Sequence, residues 1–219
     1  KGVWVFAETA DMPHGGKKLK SVAHELVSEG RKIADQVGEE LCAVLIGDKV
    51  AGLADELAAS GADTVYLVEN HELDTYNTDV YSTVITALIT RHKPSMMLYP
   101  ATINGRDLAP RIAAALDVGL TADCTGLSIK DGLLLQTRPA FGGNIMADIL
   151  CPHTRPQMAT VRPNVMKKNE PKAGARAKII KEEIPIYKSL MRVKVLERKI
   201  VTAHGGNKIG EAKVIVSGG

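Results

Sequence analysis

Two hydrophobic rhythms alternate over the first 120 residues of the chain. Short, nearly unbroken apolar runs occupy residues 3–7, 41–47, 64–69 and 95–100, rich in Val, Leu, Ile and aromatic residues. Between them the apolar positions fall three and four apart. Leu19, Val22, Ala23, Leu26, Gly30, Ile33, Ala34 and Val37 share one helical face, as do Val50, Leu53, Ala54 and Leu57, and again Val80, Val84 and Leu88. A run such as Leu41-Cys-Ala-Val-Leu-Ile46, with no polar alternation, belongs to a strand covered on both faces. The pattern therefore predicts an α/β fold, a doubly wound and mostly parallel sheet between two helical layers.

From Thr121 the rhythm changes. Residues 121–129, 133–138, 145–151 and 158–162 read as strands with no helix between them, and Asp131-Gly132 is a hairpin turn signal. The expectation is a set of antiparallel strands at the C-terminal side that extend the parallel sheet. Residues 163–178, with Pro163, Pro171, Gly174 and several lysines, read as a linker. Residues 179–186 and 190–196 are expected as short edge strands, followed by a glycine-rich loop at 204–207 and a last apolar strand at 214–216. The chain thus divides into an α/β domain over 1–163, a basic linker with edge strands over 164–211, and the first strand of a further unit over 212–219.

Charge sharpens this division. Residues 1–162 hold 15 Lys and Arg against 20 Asp and Glu, whereas residues 163–219 hold 13 against 5. A basic tail suits phosphate neutralisation. This one carries a single aromatic residue, Tyr187, for base stacking and no nucleic-acid motif, so a protein interface or a solvated face is the better reading. With 219 residues, 45% of them hydrophobic, a full core can form without staples. Cys42, Cys124 and Cys151 are odd in number and sit in apolar runs, which argues against a disulfide framework and points to a reducing, cytoplasmic setting. No apolar stretch approaches the roughly 18 residues of a membrane span.

Ligands of open α/β sheets bind beyond the carboxyl ends of the strands, so residues 8–17, 47–49, 69–77 and 101–107 are the loops to inspect. In the last, Pro100-Ala-Thr-Ile-Asn-Gly-Arg-Asp107 turns into a helix with Asn104 as its candidate N-cap. Arg106 and Asp107 there are either ligand contacts or paired and solvated groups. The segment Thr137-Arg-Pro-Ala-Phe-Gly-Gly-Asn144 is a second candidate. Its glycines permit close approach to a planar ligand and Arg138 can donate several hydrogen bonds; the alternative is a glycine-rich hairpin with an exposed arginine. Gly15-Gly16-Lys17 lacks the spacing of a phosphate loop and reads as a flexible connection, and Cys151-Pro-His153 has no second ligand pair for a metal. No nucleophile, base and orienting group assemble, so a self-contained active site is not expected.

Four linked motifs then become recognisable: Gly105-Arg-Asp-Leu-Ala-Pro-Arg111, Gly119-Leu-Thr-Ala-Asp-Cys-Thr125, Thr137 to Asn144, and Arg155-Pro-Gln-Met-Ala-Thr-Val-Arg-Pro163. In this order and spacing they resemble the electron-transfer flavoprotein α-subunit family, particularly its clostridial-type members, from Val3 to the end of the chain. The resemblance implies a Rossmann-like, nucleotide α-hydrolase-like domain that packs against a β subunit. It implies that Arg138, Pro139, Ala140, Phe141, Gly142 and Gly143 reach the nucleotide site of that subunit, which holds AMP in simple carriers and a second FAD in bifurcating ones. It also implies that Ser217, Gly218 and Gly219 begin the loop for the α subunit's own FAD, whose domain is otherwise missing here. The clostridial likeness points to electron bifurcation, from NADH to ferredoxin and to an acyl-CoA or hydroxy-acid dehydrogenase. Some relatives carry an iron–sulfur domain ahead of this one. Two other readings fare worse. A universal-stress-type nucleotide module wants a glycine-rich loop late in its sheet, and a small dehydrogenase wants Gly-x-Gly-x-x-Gly where Phe6-Ala-Glu-Thr-Ala-Asp-Met-Pro-His14 stands.

Overall fold

A computed structural model describes residues 2–197, 212 and 214–218. Strand β1 (Val3–Phe6) runs into a small hairpin, β2 (Thr9–Asp11) and β3 (Lys17–Leu19), and then helix α1 (Ser21–Val37). Strand β4 (Leu41–Gly47), helix α2 (Ala54–Ser60), β5 (Thr64–Glu69), α3 (Thr78–His92), β6 (Met96–Pro100) and α4 (Ile103–Leu116) continue the alternation. Then come β7 (Leu120–Cys124), β8 (Gly126–Lys130), β9 (Leu133–Ala140), β10 (Ile145–Ile149), β11 (Gln157–Val161) and β12 (Lys178–Lys181).

Seven strands form one sheet in the order β12-β5-β4-β1-β6-β11-β7, and every pairing in it is parallel. The pleat sorts the core into two layers. Val3 and Val5 of β1 face α1 and α2 together with Leu26, Ile33 and Leu57, while Trp4 and Phe6 face α3 and α4 with Val84, Leu88 and Ile112. Both faces are thus covered, as the unbroken apolar runs require.

The antiparallel strands depart from expectation. They do not extend the parallel sheet: β8, β9 and β10 make a three-stranded sheet of their own, in the order β10-β9-β8. The single segment expected over 121–129 is split: Asp123 takes a left-handed conformation (φ 65°) at a register irregularity within β7, the strand ends at Cys124, and the chain bends at Thr125 into β8. Strand β11 then returns parallel between β6 and β7. Leu134, Leu127 and Ile129 seat the small sheet on the α1 side of the core. Gly15 and Gly16, expected in a flexible connection, instead lie in the turn of the β2–β3 hairpin, where the Met12 amide donates to the Gly16 carbonyl (3.0 Å).

In the basic segment, β12 joins the edge of the main sheet beside β5, as an edge strand was expected to. Residues 190–196 form no strand; the chain there runs over α3, where its polar groups find side chains rather than a sheet edge. Val214, Ile215 and Val216, expected as a last strand, are exposed and pair with no strand among the described residues. The loop expected at 204–207 lies outside the described residues.

Candidate functional site

The strand order reverses at β1, with β4 on one side and β6 on the other, so the crevice of an open sheet belongs at the carboxyl ends of these three. A crevice of about 480 Å³ lies there, lined by Phe6, Ile46, Tyr76 and Tyr81 among apolar bodies and by Glu8, Lys17, Lys20, Asp74 and Asn104 among polar ones.

Its floor is built from the sequence upward. Strand β6 ends at Pro100, and α4 starts so close to it that a Cβ on Gly105 would lie 1.8 Å from the Pro100 carbonyl oxygen. Only glycine fits at that position. The N-cap is Thr102, not the expected Asn104: its hydroxyl oxygen accepts from the Gly105 amide at 3.1 Å. The helix begins at Ile103, with its cap two residues before Asn104, which frees the Asn104 side-chain amide for the crevice. There Glu8, 3% exposed and just past β1, accepts from Thr102 Oγ1 (2.6 Å), Asn104 Nδ2 (3.0 Å) and Lys20 Nζ (2.5 Å). A carboxylate therefore stands at the positive end of α4, in the position an anionic ligand would take. Lys17 pairs with Asp11 (2.6 Å) and Asp74 (3.0 Å), and the Tyr76 hydroxyl donates to Asp107 (2.7 Å). Burial pushes the Tyr76 hydroxyl well above its usual range, so it stays a donor. Arg106 donates to the Ala101 carbonyl (3.0 Å) and pairs with Asp123 (2.8 Å), which also holds Arg162 (3.3 Å). Of the two readings of Arg106 and Asp107, the structure shows the paired one.

The second candidate lies apart from the crevice, on the small sheet. Residues 137–140 are not loop but the end of β9; the turn itself is Phe141, Gly142 and Gly143, all at positive φ (48°, 70° and 94°). Strand β8 begins at Gly126, opposite Thr137, so Arg138, Pro139 and Ala140 pair only with Ala147, Met146 and Ile145 and the hairpin projects as two strands. Its tip is apolar and exposed: Phe141 81%, Ile145 53% and Met146 56%. At its root Arg138 is half-buried, and its Nε is buried with no hydrogen-bond partner among the described residues. This contrasts with Arg106, Arg111 and Arg162, each of which is paired with a carboxylate. The nearby Cys124 thiol is pushed up to about 12 by burial, against the opposing pull of Arg138, so it is an inert core group. Ser217 and Gly218 are exposed, and Gly219 lies outside the described residues.

The structure thus brings Arg138, Pro139, Ala140, Phe141, Gly142 and Gly143 together on one projecting hairpin. Sequence reasoning missed Glu8 and Lys20; the signal was an acid directly after a buried strand, facing a lysine before a helix. Among the described residues no His, Cys, Asp and Glu side chains converge in threes, and no helix is long and apolar enough to cross a membrane.

Comparison with known proteins identifies the frame. A family model described as electron transfer flavoprotein domain matches residues 3–186. The whole chain is similar to the electron transfer flavoprotein subunit alpha of Thermoanaerobacterium thermosaccharolyticum, 49% identical over 222 residues and covering 65% of that protein. It is also similar to the acryloyl-CoA reductase electron transfer subunit beta of Anaerotignum propionicum, 38% identical over 245 residues, again covering 65% of that protein. A third relative is the lactate dehydrogenase (NAD(+),ferredoxin) subunit LctC of Acetobacterium woodii, 36% identical over 220 residues, of which the chain covers 51%. The chain thus spans between about half and just under two thirds of the length of these relatives.

Proposed function

The chain belongs to the electron transfer flavoprotein family, and on that premise we propose that it is the α-subunit domain that docks on a β subunit and completes the flavin site of that partner with the β9–β10 hairpin. The observation that carries this reading is Arg138, a half-buried cation whose Nε has no hydrogen-bond partner among the described residues, at the root of an arm whose apolar tip faces solvent. A buried N–H donor with no acceptor is costly unless something external meets it. The exposed Phe141, Ile145 and Met146 supply the desolvated contact that an interface core needs.

Arg138 fits a flavin. When bound, that group supplies reversible one- and two-electron transfer. The guanidinium would present a planar set of donors to ring carbonyl oxygens and would stabilise negative charge there through charge-assisted hydrogen bonds. Pro139 holds the strand direction. Gly142 and Gly143, both at positive φ and with open space where a Cβ would stand, keep side chains off the ring. Ser217 and Gly218, exposed within residues 214–218, would with Gly219 begin the loop for the α subunit's own FAD.

The finer proposal is bifurcation: electrons from NADH would divide between ferredoxin and an acyl-CoA or hydroxy-acid dehydrogenase, with the flavins of the complex supplying the redox chemistry. The names of the relatives support it, since one is an NAD(+),ferredoxin lactate dehydrogenase subunit and another is an electron transfer subunit of acryloyl-CoA reductase. The test is co-purification with the β subunit followed by flavin and nucleotide analysis. Two flavins per full heterodimer are expected; one flavin plus AMP would make the protein a simple carrier, and no β-subunit association would overturn the reading.

A further inference from the structure

After β12 the chain crosses the outer surface of α3 from its last turn to its first. Glu182 takes Arg91 and His92 (2.7 Å to His92) at the C-terminal end of the helix. Ile184, 9% exposed, and the half-buried Ile186 and Met191 rest on the α3–α4 core layer. At the N-terminal end, about 22 Å away for a helix of 15 residues, the chain is fastened again. The Arg192 amide donates to Asp79 Oδ2 (3.1 Å), its guanidinium donates to Asp79 Oδ1 (2.7 Å), and Asn77 Nδ2 donates to the Val193 carbonyl (3.0 Å).

The two fastenings differ in kind. Ile184 is buried and Glu182 half-buried, both directly after β12, whereas beyond them, among the described residues, Ile186 and Met191 pack half-buried, Lys188 pairs with Glu72 (3.1 Å), and Tyr187, Val193, Val195 and Leu196 are exposed. Asp79 is 4% exposed and holds a second arginine, Arg111 of α4, besides Arg192, whose side chain is 70% exposed. If Arg192 leaves, the buried carboxylate keeps Arg111 and is not stranded. An arrangement meant only to pin the chain would gain from a sole partner; this one lowers the cost of letting go.

We propose that residues 186–195 are a releasable strap, latched by Arg192 on Asp79, with Arg111 standing by to neutralise Asp79 when the strap lifts. Latched, the chain leaves the domain beside Asn77, on the carboxyl side of the parallel sheet. Released, it leaves from the end of β12 with ten more residues of free chain, a reach on the order of 17 Å. The device therefore sets how far whatever follows residue 197 is held from the crevice side of the domain. It stands independently of any flavin.

Amide hydrogen exchange in the 219-residue chain tests it. The Arg192 amide is expected to be protected, on the order of tenfold to a hundredfold, and Arg192→Met to remove at least tenfold of that protection while the amides of β12 are unchanged. Trypsin should then cut faster after Lys188. The discriminating variant is Arg111→Met: with Arg192 left as the one arginine on Asp79 among the described residues, opening strands the carboxylate, so protection at position 192 should equal or exceed that of the wild type. A wild-type Arg192 amide that exchanges at the free-peptide rate, or that is unaffected by Arg192→Met, would overturn the latch. An Arg111→Met variant as unprotected as Arg192→Met would overturn its releasable character.

Discussion

Replacing Glu8 by Gln should destabilise the domain while leaving its shape intact. The carboxylate is 3% exposed and receives three donors: Thr102 Oγ1 at 2.6 Å, Asn104 Nδ2 at 3.0 Å and Lys20 Nζ at 2.5 Å. Gln has one acceptor oxygen and a donor group of its own, so one of the three loses its partner and faces another donor. Charge-assisted hydrogen bonds contribute about 1.5–3 kcal/mol each and neutral ones about 1 kcal/mol. The Lys20 pair is discounted because its side chain is one third exposed. The expected loss is about 2–3 kcal/mol for Glu8→Gln and about 3–5 kcal/mol for Glu8→Ala, which leaves all three donors unmatched. For a chain of this length this corresponds to a fall in Tm of roughly 4–12 °C for Glu8→Gln. Urea unfolding followed by the fluorescence of Trp4, the single tryptophan and a fully buried one, reports it. In the Lys20→Met background the cost of Glu8→Gln should shrink, since the partners are coupled. A Glu8→Gln variant within about 0.5 kcal/mol of the wild type would refute the claim that this carboxylate organises the crevice.

Three further outcomes follow from single positions. Gly105→Ala should cost at least about 3 kcal/mol, because its Cβ would meet the immovable Pro100 carbonyl, whereas Gly52→Ala, with nothing within 4 Å, should be neutral or stabilising; equal denaturation midpoints would contradict the close approach of α4. Arg192 holds the Asp79 carboxyl down to about 2, so its contribution is complete above the ordinary carboxylate value and is lost as pH falls toward 2. The stability difference between wild type and Arg192→Met should therefore close between about pH 4 and pH 2, and a difference that stays constant over that range would dismiss the pair. Arg138→Ala should leave the fold and its stability nearly unchanged but shift the β-subunit flavin potential in the heterodimer, with Arg138→Lys restoring only part; spectroelectrochemical titration decides, and unchanged potentials would return Arg138 to a plain hairpin arginine.

The parallel sheet was legible because burial on both faces writes unbroken apolar runs: residues 41–47 and 64–69 were placed to the residue as β4 and β5. Three-and-four spacing likewise located α1 and α3, since each helix packs one stripe on the sheet. The sequence pattern failed where pairing depends on geometry rather than on burial. Residues 121–129 mix apolar with small and polar positions that a strand tolerates, and their pattern does not mark that β7 ends at Cys124 and that the chain bends at Thr125 into a separate sheet. The cap of α4 was misplaced by two residues for a similar reason. Thr102 and Asn104 are both good N-caps, and what decides between them is that Glu8 draws Asn104 inward.

The candidate site divides along the same line. Residues 138–143 were legible as a glycine-rich link between two strands because the turn is local in sequence, whereas their first half, read as loop, is the end of β9. Groups brought together from afar left no such trace. Glu8 meets Thr102 and Asn104 across 94 and 96 residues, and Asp79 meets Arg192 across 113. Each of those acids, read alone, is an ordinary charge at the end of a strand or the start of a helix, and a solvated position is its natural interpretation. What exposes them is burial together with charge: Glu8 and Asp79 are 3% and 4% exposed, and a carboxylate that deep must be met by donors or remain uncharged. Arg138 obeys the same rule with the opposite result. Its Nε is buried and has no hydrogen-bond partner among the described residues, which supports the proposal that the hairpin meets another molecule but, unlike the filled crevice, names no partner on this chain.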